Sequence, residues 1–162
     1  MKILEVEDLC FNYAGKKIIN NLSFSVDKGD FVCILGANGT GKTTLIKLLL
    51  NILSSSSGII SRNYKNKSYV SQKATSFNQD FPATVREIVS LSVKEKGIEF
   101  LLRKKEINRR INSALEKVSM LDSQDLKIGR LSGGQQQRVF IAKSIVDNPE
   151  IIYLDEPTVG VD

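Results

Sequence analysis

Histidine is absent from all 162 residues. Imidazole therefore serves this sequence neither as a general acid or base nor as a metal ligand. Cysteine is almost absent as well. Cys10 and Cys33 each lie in an apolar run, and no C-x-x-C spacing occurs. They read as reduced core residues rather than a disulfide or a metal pair. A long hydrophobic run is also lacking. The most apolar helical stretch, residues 44–53, is interrupted by Lys47 and is too short to span a bilayer. Residues 1–8 carry Glu5, Glu7 and Asp8 where a signal peptide would be apolar. The expectation is a cytosolic, reducing, water-soluble setting. Charge of one sign is not blocked anywhere: 23 basic and 18 acidic residues give a dispersed net +5. Such a surface admits an anionic partner without calling for nucleic acid. The length suits one domain, and the 41% apolar share is enough for a core.

The feature that organises the chain is Gly36-Ala37-Asn38-Gly39-Thr40-Gly41-Lys42-Thr43, which fits G-x-x-x-x-G-K-[ST]. Before it, Phe31-Val32-Cys33-Ile34-Leu35 is an apolar run suited to a buried strand. After it, residues 44–53, starting at Thr44, suit a largely buried helix. A strand, a glycine-rich loop and a helix form a phosphate cradle, because glycines bring backbone N–H groups close to phosphate oxygens and the helix N-terminus adds partial positive charge. Lys42 would reach the β- and γ-phosphates, and the Thr43 hydroxyl would coordinate magnesium.

Upstream, residues 3–8 alternate apolar and charged like a half-solvated strand, and residues 18–26 continue the β pattern. Tyr13, beside a turn at residues 11–15, could stack on an adenine or simply pack. Residues 59–60 and 68–71 suggest a strand pair around a basic turn, with Gln72 following. Thr84 and Glu87 have capping-box spacing at the start of a helix, and a second helical stretch runs from about Ile98 to Met120. The basic face of that second stretch, Lys104, Lys105, Arg109, Arg110 and Lys117, reads as solvated. Ser132-Gly133-Gly134-Gln135 opens another helix and offers a second anion site, with Ser132 as N-cap. Asn148-Pro149 ends that helix. An apolar strand at 151–154 then leads into Asp155 and Glu156, adjacent carboxylates that could bind a magnesium water shell and polarise an attacking water.

In this order the motifs closely resemble the ATP-binding subunit of ABC transporters over the whole chain. Residues 36–43 resemble its Walker A, residues 131–135 its signature motif, and residues 151–156 its Walker B with the catalytic glutamate. Gln72 matches the Q-loop and Tyr13 the adenine-stacking aromatic. Residues 159–162 resemble the D-loop, with Asp162 in the aspartate position. The resemblance implies an α/β fold: a P-loop, RecA-like parallel sheet with an N-terminal antiparallel β layer and an inserted helical subdomain. It implies one domain over 1–162, with a nucleotide-binding core at 1–80 and 131–162 and the helical subdomain at 81–130.

The cofactors implied are ATP and Mg2+. ATP would contact Tyr13, residues 36–43 and Thr44. Thr43, Gln72 and Asp155 would hold the metal, and Glu156 would act on water with Lys42 and Gln72. Ser132, Gly133, Gly134 and Gln135 would act in trans, in a homodimer or with a second ABC subunit. The further partners implied are an integral-membrane permease at the cytoplasmic face of the membrane and, indirectly, an extracytoplasmic metal-binding protein. No nucleic acid is expected. The segment 72–87 resembles the zinc and manganese importer branch.

The family pattern continues past the D-loop into a strand and a switch histidine, neither of which is in this sequence. In the family fold that strand lies between the P-loop strand and the Walker B strand. The expectation is therefore a shortened subunit with a gap in its central sheet, partial ATP binding and impaired hydrolysis. A fragment that only binds nucleotide and an ABC-type ATPase with no membrane partner are the alternative readings.

Overall fold

The computed structural model describes residues 1–71 and 77–155. Within them the chain forms two compact units, residues 1–65 and residues from 66 onward.

The first unit is built on a long hairpin. Strands β1 (Lys2–Tyr13) and β2 (Lys16–Asp27) pair antiparallel, and β3 (Ser57–Arg62) adds to the other edge of β1, giving the order β2-β1-β3. The apolar residues of this stretch go inside and the acids outside: Ile3, Leu4, Val6 and Leu9 are buried, while Glu7 and Asp8 face solvent, without strict alternation because the ladder shifts register near Leu4 and again between Val6 and Leu9. The turn is tighter than the sequence suggests. Phe11–Tyr13 stay in the strand, and only Ala14 and Gly15, both at positive φ, reverse the chain. Helix α1 (Lys42–Leu49) buries Leu45, Ile46, Leu48 and Leu49. Its C-terminal carbonyls are held by Arg62, whose Nη2 donates to Leu48 O at 2.7 Å and whose Nε donates to Leu49 O at 2.8 Å.

Two expectations fail here. Phe31–Leu35 is not a buried strand: Phe31 is 91% and Leu35 87% exposed, and the run belongs to no ladder among the described residues. An apolar run becomes a strand only if another strand supplies hydrogen-bond partners on its edge. The β2-β1-β3 sheet does not extend to it. Cys33, in the same run, is exposed rather than part of a core, and Cys10 is half-buried.

In the second unit, β4 (Lys67–Val70) pairs parallel with β5 (Ile151–Leu154), in register from Lys67 with Ile151 to Val70 with Leu154. The expected pairing of residues 59–60 with 68–71 is thus overturned. β3 joins β1 and β4 joins β5, because each finds a longer or more buried partner elsewhere. The helices are α2 (Val85–Ser90), α3 (Gly97–Leu102), α4 (Lys104–Lys117) and α5 (Gly133–Ile145). The single helix expected over 98–120 is broken at Arg103, whose backbone is not helical. One core joins Val85, Ile88 and Val89 of α2, Ile107, Ile111 and Leu115 of α4, and Val139 and Ala142 of α5. Phe77 stacks on Phe140 at 5.7 Å and tilts against Phe81 at 4.5 Å, closing the side of this core.

Candidate functional site

The loop at 36–43 has the geometry its glycines demand. Gly39 and Gly41 sit at φ +82° and +98°, the left-handed region that favours glycine. Gly41 is the N-cap of α1. A Cβ there would stand 2.9 Å from Ile18 Cγ2. The loop tip is fastened by Thr40, whose hydroxyl donates to Ala37 O at 2.8 Å. Lys42 folds back across the loop, and its Nζ donates to Gly36 O at 2.8 Å and Ala37 O at 2.9 Å. The ammonium is thereby set inside the arc of backbone.

Among the described residues no side chain caps the N-terminus of α1, and its first turn carries no acid. Most helices satisfy those N–H groups with a Ser, Thr or Asp side chain. A glycine cap with a lysine folded over it suits an anion bearing several oxygens, so the residues fit a nucleotide phosphate chain.

Tyr13 is 70% exposed at the turn end of the hairpin. Its register partner is Lys16, two residues from the Ile18 that Gly41 touches. The exposed ring and the phosphate loop therefore occupy the same end of the first unit.

In the second unit, Ser132 caps α5 through a full capping box. Its hydroxyl accepts from Gln135 N at 3.3 Å, and Gln135 Oε1 accepts from Ser132 N at 2.9 Å. Among the described residues, nothing lies within contact range of a Cβ added at Gly133. The helix start is open and presents its backbone outward. Gln136, next in sequence, is turned inward: its Nε2 donates to Leu131 O at 3.2 Å, and its Oε1 accepts from Phe77 N at 3.4 Å.

Asp155, at the end of β5, is only 4% exposed. Its N–H donates to Val70 O at 3.0 Å, and its Oδ2 accepts from the Tyr69 hydroxyl at 3.4 Å. Burial, reinforced by the Asp155 carboxylate, pushes the Tyr69 phenol above its ordinary pKa. Tyr69 therefore stays a donor. A buried carboxylate oriented by a second side chain has the character of a metal anchor, and its oxygens are of the kind a hard cation takes. Among the described residues, no three acidic or cysteine side chains converge as a ready-made metal site. Gln72, Glu156 and Asp162 lie outside the described residues.

Sequence reasoning missed one ionic cluster. The basic face of α4 is not uniformly solvated. Arg110 is drawn inward, donating to Glu95 Oε1 at 2.6 Å and to Asp147 Oδ1 at 2.8 Å. The Glu95 and Asp147 side chains are 9% and 12% exposed. The Arg110 hydrogen bond, helped by the backbone, holds Glu95 below the usual carboxylate range against the effect of burial. The sequence carries no local signal for this, because the three residues lie on separate segments.

Known proteins resemble this chain over nearly its whole length. The ABC transporter family profile matches residues 19–159. The zinc uptake system ATP-binding protein ZurA of Listeria monocytogenes is 43% identical over 99% of this chain and 66% of its own length. The high-affinity zinc uptake system ATP-binding protein ZnuC of Bacillus subtilis is 38% identical over the whole chain and 73% of its own length. The manganese transport system ATP-binding protein MntB of the same organism is 36% identical over 98% of this chain and 66% of its own.

Among solved structures, an inward-facing metal-chelate type ABC transporter superposes with a TM-score of 0.80 at 31% identity, over 99% of this chain and 62% of that one. An ATP-binding cassette in its ADP conformation superposes with a TM-score of 0.77 at 28% identity, over 100% and 71%. The chain thus spans about two thirds of the length of these relatives, 66% of ZurA. Matched by the family profile over most of its length and by these relatives, and carrying a lysine-threaded phosphate loop, the chain belongs to the ABC transporter family as an ATP-binding domain.

Proposed function

We propose that this chain is the ATP-binding and ATP-hydrolysing subunit of an importer for zinc or manganese, working at the cytoplasmic face of a membrane with a permease. The observation that carries the reading is the Lys42 ammonium held over an uncapped, acid-free helix N-terminus. The choice of ion rests on the relatives named for zinc and manganese transport.

In this reading Lys42 turns from the Gly36 and Ala37 carbonyls to the β- and γ-phosphates. The α1 N–H groups take the remaining oxygens, and Tyr13 supports the adenine. Thr43, Gln72 and Asp155 would hold magnesium, and the ion would supply positive charge to the phosphate oxygens. Tyr69 keeps the Asp155 carboxylate turned the right way. Glu156 orients and deprotonates the attacking water. The open α5 start of a second copy, at Ser132, Gly133 and Gly134, closes over the γ-phosphate, so each chain contributes half of two composite sites.

Titration of the purified chain with a fluorescent ATP analogue and magnesium tests the first step. Lys42→Ala should weaken binding by roughly a hundred-fold, the effect of removing a charge-assisted phosphate contact. Equal binding by both chains would overturn the proposal. Zinc- or manganese-stimulated ATP turnover in a reconstituted complex with a permease tests the assignment of cargo.

A further inference from the structure

Helix α3 gives the core little beyond Phe100, which packs half-buried against it. None of its six residues is buried. Ile98 is 76%, Leu101 69% and Leu102 81% exposed, and Leu91, just after α2, is 64% exposed. Leu91, Ile98, Phe100 and Leu101 line one open groove of about 580 Å³. An isolated helix this short is unstable in water, and a contiguous apolar surface on its outer side marks a contact.

The charges around it are arranged with equal clarity. Lys94 and Lys96 precede the apolar residues, Lys104 and Lys105 follow them, and all four are exposed. The acids nearby are already engaged by arginine. Glu95 is buried against Arg110 and Arg103, while Glu99 and Glu106 pair with Arg103. Lys94 also reaches Asn66. The lysines on both flanks thus carry the outward charge.

We propose that α3 and its lysine flanks form a membrane-surface contact that inserts Ile98, Leu101 and Leu102 among the acyl chains of an anionic bilayer. Apolar side chains bracketed by lysines are the pattern of an interfacial segment: the leucines enter the boundary, and the long lysine stems carry their ammonium groups up to the phosphates. Charge complementarity selects an anionic lipid surface. An acidic protein segment would have to match an exposed ridge with charge on both of its sides, whereas a planar anionic surface does so without any further fit. This contact goes beyond the proposed function. A subunit recruited by a permease needs no lipid affinity of its own, and vesicles without a permease separate the two.

The test is co-sedimentation of the purified 162-residue chain with vesicles of phosphatidylcholine alone or mixed with phosphatidylglycerol. Binding is expected only to the mixed vesicles and should fade as salt is raised. Lys104→Gln with Lys105→Gln should lower the partition coefficient by roughly twenty-five-fold, about five-fold per lysine. Leu101→Glu with Leu102→Glu should abolish binding, and circular dichroism should show an unchanged fold because neither side chain is buried. Several results overturn the proposal. They are absence of binding to anionic vesicles, equal binding to both lipids, and binding that survives Leu101→Glu with Leu102→Glu, which would assign it to another apolar surface such as residues 31–35. Binding that appears only when a permease is in the bilayer would give the patch to a protein partner instead.

Discussion

Replacing Arg110 by methionine separates two views of α4. If its basic face is simply solvated, the change costs less than about 0.5 kcal/mol. The structure demands more. The Arg110 side chain is 18% exposed and bridges Glu95 and Asp147 at 2.6 and 2.8 Å, and their side chains are 9% and 12% exposed. Removing the cation leaves two carboxylates out of water. Breaking a buried pair in this way costs about 3–5 kcal/mol. Arg103, 3.3 Å from Glu95 but itself 48% exposed, offsets part of that, so a loss of about 2–4 kcal/mol is expected.

Urea unfolding followed by circular dichroism reads it directly. The pH dependence supplies a second signature. In the parent, the folded pKa of Glu95 is depressed. Its contribution is therefore complete above the ordinary carboxylate pKa and is lost as pH falls through the folded value. Without Arg110 the desolvated Glu95 has no such advantage in being charged. The stability gap between parent and variant should therefore narrow as pH is lowered from neutrality towards about 4. A loss below about 1 kcal/mol, or a gap that does not change with pH, would refute the reasoning.

Three further outcomes follow from local geometry. Gly41→Ala forces a side chain into φ +98° and to 2.9 Å from Ile18 Cγ2. It should cost about 1–2 kcal/mol from the backbone alone and weaken nucleotide binding, both measurable on one preparation by urea unfolding and analogue titration. Ser132→Ala removes the capping-box acceptor for Gln135 N and should lower stability by about 1 kcal/mol in the same urea unfolding measurement. Phe31→Thr with Leu35→Thr, at positions 91% and 87% exposed, should leave stability within about 0.5 kcal/mol while reducing self-association in light scattering. A loss of several kcal/mol would mean those side chains are buried after all.

The parts of this protein legible in its sequence are those in which neighbours along the chain are also neighbours in space. The phosphate loop is of this kind, since Gly39, Gly41 and Lys42 act within one turn of backbone. The two capping boxes, Thr84 with Glu87 and Ser132 with Gln135, form as their spacing requires because residues three apart lie on the same side of the first helical turn. The apolar and charged residues at 3–8 foretold which side chains of β1 are buried, because each keeps its own preference for core or water.

Strand partners and buried charges are different. Residues 59–60 and 68–71 look alike as short β segments, yet one joins β1 antiparallel and the other β5 in parallel. Pairing depends on what lies across the sheet, and no local preference records that. Phe31–Leu35 has the composition of a core strand, but composition supplies no neighbour for its N–H and C=O groups, and the run stays exposed. Arg110 differs from Arg109 only in its place around α4, and tertiary packing alone turned one towards Glu95 and Asp147 and left the other in water. By itself, then, the amino-acid order determined the phosphate loop, the helix caps and the family. Tertiary structure decided which strands meet, which charges are buried and which apolar surfaces remain open, because those free energies belong to contacts between residues far apart in the chain.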